Sequence, residues 1–143
     1  MRFISRNLGE IEYAEDAVIT FDEGIPGFED TRKYVLILSE DNDFPFHYLQ
    51  CIDNPDVAFV VTSPFLFVED YDFNLNDSVV NKLSIKTPEE LYVYGVVTVP
   101  KKVEFSTINL TAPIIINTTN RKGMQVALEE IDDINHPLFK KRG

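Results

Sequence analysis

The chain has 143 residues, 44% hydrophobic and 26% charged, the size and composition of one folded domain over residues 1–143 with a core of its own. Its formal net charge is −11, and the excess is confined to residues 1–99, where 19 Asp and Glu stand against 6 Lys and Arg; residues 100–143 hold 5 against 7. Such a surface repels phosphate, which argues against direct binding of nucleic acid and for a basic protein partner.

Short runs rich in Val, Ile, Phe and Tyr, bounded by turn residues, predict strands in chain order at Phe3-Ile4, Gly9–Tyr13, Val18–Phe21, Tyr34–Leu38, His47–Ile52 and Ala58–Thr62. Further runs follow at Tyr92–Val99, Ser106–Leu110, Pro113–Asn117 and Met124–Glu129. In the last of these Met124, Val126 and Leu128 share one face, as on a half-buried strand. The nearly unbroken apolar runs Val35–Leu38 and Ala58–Val61 predict strands covered on both faces. Helix signals are confined to 76–91. Asn76 can cap a helix carrying Val79, Val80 and Leu83 on one stripe, with Leu75 and Val80 spaced as a hydrophobic staple. Thr87-Pro88-Glu89-Glu90 has the spacing of a capping box. Many strands with little helix predict a mainly β fold, a small closed or semi-closed antiparallel barrel with one short helical crossover around 76–91; a sandwich is the alternative.

Cys51 is the one cysteine, so no internal disulfide can form and a reducing cytoplasm fits. The N-terminus has no apolar run of signal-peptide length, and no segment approaches the ~20 apolar residues of a membrane helix. Three glycosylation-type sequons, at Asn76, Asn109 and Asn117, read as chance in that setting. Glu40-Asp41-Asn42-Asp43 and Glu69–Asn74 look like metal loops, and Asp70, Asp72 and Asn74 match the first three ligands of a calcium loop. The match then fails, with Leu75 where Gly is needed and Asn81 where the bidentate Glu belongs. His47 and Cys51 share a strand face, but four strand residues span roughly 13 Å, too far for a nucleophile–base pair. His136 before Pro137 reads as a turn or docked tail. Gly24-Ile25-Pro26-Gly27 lacks both phosphate-loop spacings and reads as a tight turn. The basic clusters Lys101-Lys102 and Arg121-Lys122 fall where hairpin loops are expected, and Lys140-Lys141-Arg142 is the tail.

Apolar residues in loop-like places stand out instead: Gly27-Phe28-Glu29, Asp43-Phe44-Pro45-Phe46 and Pro64–Phe67, the last running into Glu69-Asp70-Tyr71-Asp72. An aromatic anchor inside a charged rim is the composition of a protein–protein hot spot. Phe28 and Phe46 are expected to plug a barrel end or the core; Phe65 and Tyr71 are expected to face a partner.

Taken together, ordered motifs along the whole chain resemble the flagellar assembly factor FliW family. They are Phe21-Asp22-Glu23-Gly24-Ile25-Pro26-Gly27-Phe28-Glu29; Tyr48-Leu49-Gln50 with Pro55–Val61 and Pro64-Phe65; Tyr92–Pro100; Asn109–Asn117; and Gly123-Met124-Gln125-Val126. The chain departs from the pattern at Tyr48, where Trp is frequent, at Cys51, where Ser is frequent, and at Ser84, where Gly is common. The resemblance implies a cytoplasmic β-barrel with no catalysis and no cofactor. It implies two partners in contention, flagellin and the RNA-binding repressor CsrA, with RNA affected only through CsrA. It implies no direct nucleic acid, membrane or small-molecule ligand. Expected exposure and charge, together with the resemblance, point for contacts to Asn54 and Pro55, to Phe65, Glu69, Asp70, Tyr71 and Asp72, and to Val99, Pro100 and Lys101. The competing readings are a small-molecule-binding barrel and a hydrolase using carboxylates or Cys51.

Overall fold

A computed structural model describes residues 1–6, 8–38 and 46–139. The expected features at 40–45 and 140–142 (the first acidic loop, Phe44-Pro45 and the basic tail) lie outside the described residues.

The strands are β1 (Arg2–Ser5), β2 (Gly9–Glu12), β3 (Ile19–Thr20), β4 (Lys33–Ile37), β5 (His47–Cys51) and β6 (Ala58–Thr62). They continue with β7 (Leu91–Thr98), β8 (Thr107–Ile108), β9 (Ile114–Asn117), β10 (Lys122–Gln125) and β11 (His136–Pro137). Seven of them, β3, β4, β5, β6, β7, β9 and β10, pair round a closed ring. β7 closes it by changing neighbours along its length: Leu91–Tyr94 pair with β9, whereas Val97-Thr98 pair with β8. Gly95 sits at that change, where an added Cβ would come within 2.4 Å of the Ile108 side chain; the glycine leaves the space that this buried side chain fills. An odd ring cannot alternate direction all the way round. The one parallel pair is β3–β10, held by the single register contact Lys122↔Thr20.

Alternation along the ring strands builds two cores. Ile19, Tyr34, Leu49, Cys51, Val61, Tyr94, Ile114 and Ile116 point inward and fill the barrel with Phe21 and Ile25. Val97 and Ile115 point outward, as does the half-buried Val60. They are covered by Val79 of the helix α1 (Asp77–Lys82) and Leu83 just after it, by the 67–75 segment and by Val126, Leu128 and Leu138. The expected alternation at 124–128 holds: β10 pairs with β9 from Lys122 to Gln125, and Val126 N–H and Leu128 N–H continue the bonding to Pro113 O and Thr111 O. The expectation of cover on both faces holds for Ala58–Val61 in that both cores use it; at Leu38 it fails, because that side chain is exposed beyond the end of β4. Lys122 lies in a strand rather than a loop and reaches Asp22 at 3.4 Å. His136 and Pro137 dock on β8, which makes the expected tail an edge strand.

The outer face of β5 carries a buried polar residue, Gln50. Its carbonyl oxygen accepts from the Ser5 hydroxyl at 2.6 Å, and its amide donates to Cys51 O at 2.8 Å and Val57 O at 3.1 Å. This joins the β1–β2 hairpin to the barrel, aided by the Arg6 N–H bond to Pro55 O and the exposed Arg6–Asp56 ion pair.

Helix α1 starts and stops as local chemistry dictates. The Asn76 side chain accepts from Val79 N–H at 2.9 Å. At the other end Ser84 takes a left-handed φ of 52°, with Ser84 N–H bonded to Asn81 O and Ile85 N–H to Val80 O, the paired bonds of a Schellman cap. The next turn is held by Glu90, whose carboxylate accepts from Lys86 N–H at 2.9 Å and lies below its ordinary pKa chiefly for that reason.

Candidate partner-binding surface

The expected contact residues divide between two ends of one strand. The register Val60↔Val97 and Thr62↔Gly95 places the chain entering β6 beside the chain leaving β7. Asn54 and Pro55 therefore share one end with Val99, Pro100 and Lys101, while Phe65, Glu69, Asp70, Tyr71 and Asp72 follow the other end of β6. Four strand steps, roughly 13 Å, lie between them.

At the first end Val99 and the neighbouring Val103 and Phe105 are exposed, and the Lys102 ammonium lies 6.0 Å from the Phe105 ring centroid. Val103 and Phe105 were not singled out from sequence; their signal is the same as that of Phe65, apolar residues in a charged loop.

At the second end Pro64 starts a single 3-10 turn that lifts Phe65 and Leu66 off the barrel. Phe65 is 48% exposed, whereas Tyr71 is only 7% exposed, which corrects its expected place facing a partner. The Tyr71 hydroxyl donates to Leu110 O at 2.7 Å, and that buried bond draws the ring inward. Burial, and secondarily the charge of Glu130, push its phenol up to about 12. Tyr71 acts as a brace: Phe65 packs on one side at 5.7 Å between centroids and Phe73 on the other at 5.4 Å. Phe28 is a second correction. The bond from Phe28 N–H to Ile25 O, 2.6 Å, ties it to a tight turn that aims the ring outward, 43% exposed, edge-on to Phe59 at 5.5 Å. Phe46 is buried in the outer core, as expected.

Between this aromatic stack and α1 runs a groove of about 540 Å³. Its walls are Phe65, Asp72, Phe73, Asn74, Leu75, Val80, Ile85, Lys86, Thr87 and Pro88, and its floor is the outward faces of Leu91 and Val93. The staple pair Leu75 and Val80 was read from sequence as helix packing only; both line the groove. Among the described residues, Glu69, Asp70, Asp72, Asp77 and Glu89 have no cation within ion-pair distance.

Groups with catalytic potential sit elsewhere. Cys51 is fully buried in the barrel and burial pushes its thiol up, the opposite of an activated nucleophile. His47 rests edge-on to Tyr94 at 6.1 Å, and burial lowers its pKa. Among the described residues no three His, Cys, Asp or Glu side chains converge as a metal site would require, and no helix is long and apolar enough to cross a membrane.

Comparison with known proteins decides the kinship. The model of the FliW protein family matches residues 2–138. The chain belongs to the FliW family. Among FliW relatives, the flagellar assembly factor of Alkaliphilus metalliredigens is 46% identical over 138 residues, covering 96% of this chain and 85% of that one. That of Clostridium novyi is 41% identical over 142 residues, 99% of each chain. A crystal structure of the flagellar assembly factor FliW superposes with a TM-score of 0.92 at 31% identity over 100% of both chains.

Proposed function

We propose that this chain is a flagellar assembly factor that works without catalysis in the cytoplasm, by binding flagellin and the translational repressor CsrA in turn. Binding to CsrA would antagonise its hold on RNA allosterically and so couple flagellin synthesis to secretion. Membership of a family whose relatives are named flagellar assembly factors supports the first part. The observation that supports the binding role is the exposed Phe65, packed on the buried Tyr71 and followed in the chain by Glu69, Asp70 and Asp72, which have no cation at ion-pair distance among the described residues. An apolar anchor on an acidic segment suits a basic protein partner and speeds its encounter. Asn54, Pro55, Val99, Pro100 and Lys101 form a second contact patch at the far end of β6. A ligand-carrying barrel is disfavoured because its interior is packed with side chains.

The test is calorimetry with purified flagellin and purified CsrA, using the native chain and a variant with Glu69, Asp70 and Asp72 changed together to Lys. The expected result is a one-to-one complex with each protein and at least a tenfold loss for the variant with CsrA at moderate salt. Absence of binding to both proteins would refute the reading; full affinity of the variant would remove the acidic stretch from it.

A further inference from the structure

We propose that the groove between α1 and the aromatic stack is a docking site for an amphipathic helix of a partner protein, apolar on the face laid into the groove and rich in Lys or Arg along its flanks. The floor, Leu91 and Val93, offers side chains that point out of the sheet, and Leu75 and Val80 add an apolar wall. A segment lying there meets methyl groups rather than strand-edge amides, so it must satisfy its own backbone hydrogen bonds, as a helix does. The volume, about 540 Å³, takes several apolar side chains from successive helical turns.

Charge selects the flanks. Asp72 lines the groove and follows Glu69 and Asp70; Asp77 opens α1 beside Leu75, and Glu89 follows the lining residue Pro88. All five are exposed and none is paired with a cation among the described residues. The one basic lining residue, Lys86, sits close enough to Glu90 to help lower its pKa, so its charge is already partly offset. An acidic helix would be repelled from both rims and a basic one attracted. Phe65 needs no rearrangement to serve as the anchor at one end, since Tyr71 fixes it in place. The inference does not depend on flagellin or CsrA being the partner.

The probe is a synthetic helical peptide of about 18 residues with Leu at i, i+3, i+4 and i+7 and Lys on both flanks. Its counterpart carries Glu in place of every Lys. Titrated into isotopically labelled chain, the Lys peptide is expected to shift the amides of Leu75, Val80, Leu91 and Val93 and to bind at least tenfold more tightly than the Glu peptide. Asn74→Trp, an exposed substitution that fills the groove mouth, is expected to weaken it at least tenfold; Asp72→Lys should do the same through charge. Equal affinity of the two peptides, shifts confined to another face, or indifference to both substitutions would overturn the proposal. So would an apolar dye, anilinonaphthalene sulfonate, that occupies the groove and is not displaced by the Lys peptide, which would assign it to a small ligand. Flagellin and CsrA titrated alongside separate the two readings: if they bind while the peptide does not, the groove proposal fails and the functional one stands.

Discussion

Replacing Gln50 with Leu tests the claim that one buried amide fastens the N-terminal hairpin to the barrel. The substitution keeps a side chain of similar size but removes three hydrogen bonds of 2.6, 2.8 and 3.1 Å. Each contributes about 1 kcal/mol net, and a buried group left without its bond costs about 1–3 kcal/mol. The Val57 carbonyl loses least, because it also accepts from Cys51 N–H at 2.9 Å. Added apolar burial offsets about 1 kcal/mol, leaving a loss of about 2–4 kcal/mol, a large part of the stability of a domain this size. Urea unfolding followed by circular dichroism measures it. Amide exchange should show the hairpin strands β1 and β2 losing protection before the barrel does. A double-mutant cycle with Ser5→Ala should give a coupling of about 1 kcal/mol or more. A loss below about 0.5 kcal/mol, or hairpin amides as protected as in the native chain, would show that packing alone holds the hairpin and refute the reasoning.

Three further outcomes are expected. Tyr71→Phe removes the donor to Leu110 O and should cost about 1–2 kcal/mol in urea unfolding, with a changed near-ultraviolet spectrum from the Phe65–Tyr71–Phe73 stack. Ser84→Gly should stabilise by about 0.5–1 kcal/mol, because a left-handed residue at the helix end is strained for Ser; a loss of melting temperature would contradict the cap geometry. At high pH, Tyr34 and Tyr71, both raised from 10.0 to about 12 mainly by burial, keep their protons in the folded chain while an unfolded tyrosine has lost its own. Their contribution to stability is thus whole below pH 10 and disappears as pH rises towards 12. Absorbance titration at alkaline pH should show Tyr34 and Tyr71 among the late-ionising tyrosines, with Tyr94 also raised by burial, and unfolding in the same range.

Strand existence was legible because period-two alternation and turn residues are local, and for β6 even the ends are as read from sequence. The cap at Asn76 was legible for the same reason. The departure at Ser84, read as a place where Gly is common, proved to be a left-handed cap residue. What sequence could not supply was which face meets what. Phe28 and Tyr71 are each an aromatic beside acids, yet a turn hydrogen bond sends one outward and a carbonyl 39 residues away draws the other in. The separation of the expected contact residues followed from register between β6 and β7, which only pairing sets. The groove was invisible because its walls, Phe65, Asp72–Leu75, Val80 and Ile85–Pro88, come from separate segments that only the fold brings together.

The parallel contact between β3 and β10 carries a consequence for how the molecule comes together. It joins residues about a hundred apart, so closing it costs roughly 4 kcal/mol of chain entropy that no neighbouring turn has already met. Every other junction in the ring is antiparallel and most are between neighbours in sequence. The ring is therefore closed by one short parallel contact between segments that no single turn brings together. Arg121 acts as its latch: its carbonyl accepts from Thr20 N–H at 2.9 Å and its guanidinium donates to Ala17 O at 2.8 Å, so one residue holds both the first barrel strand and the turn that leads into it.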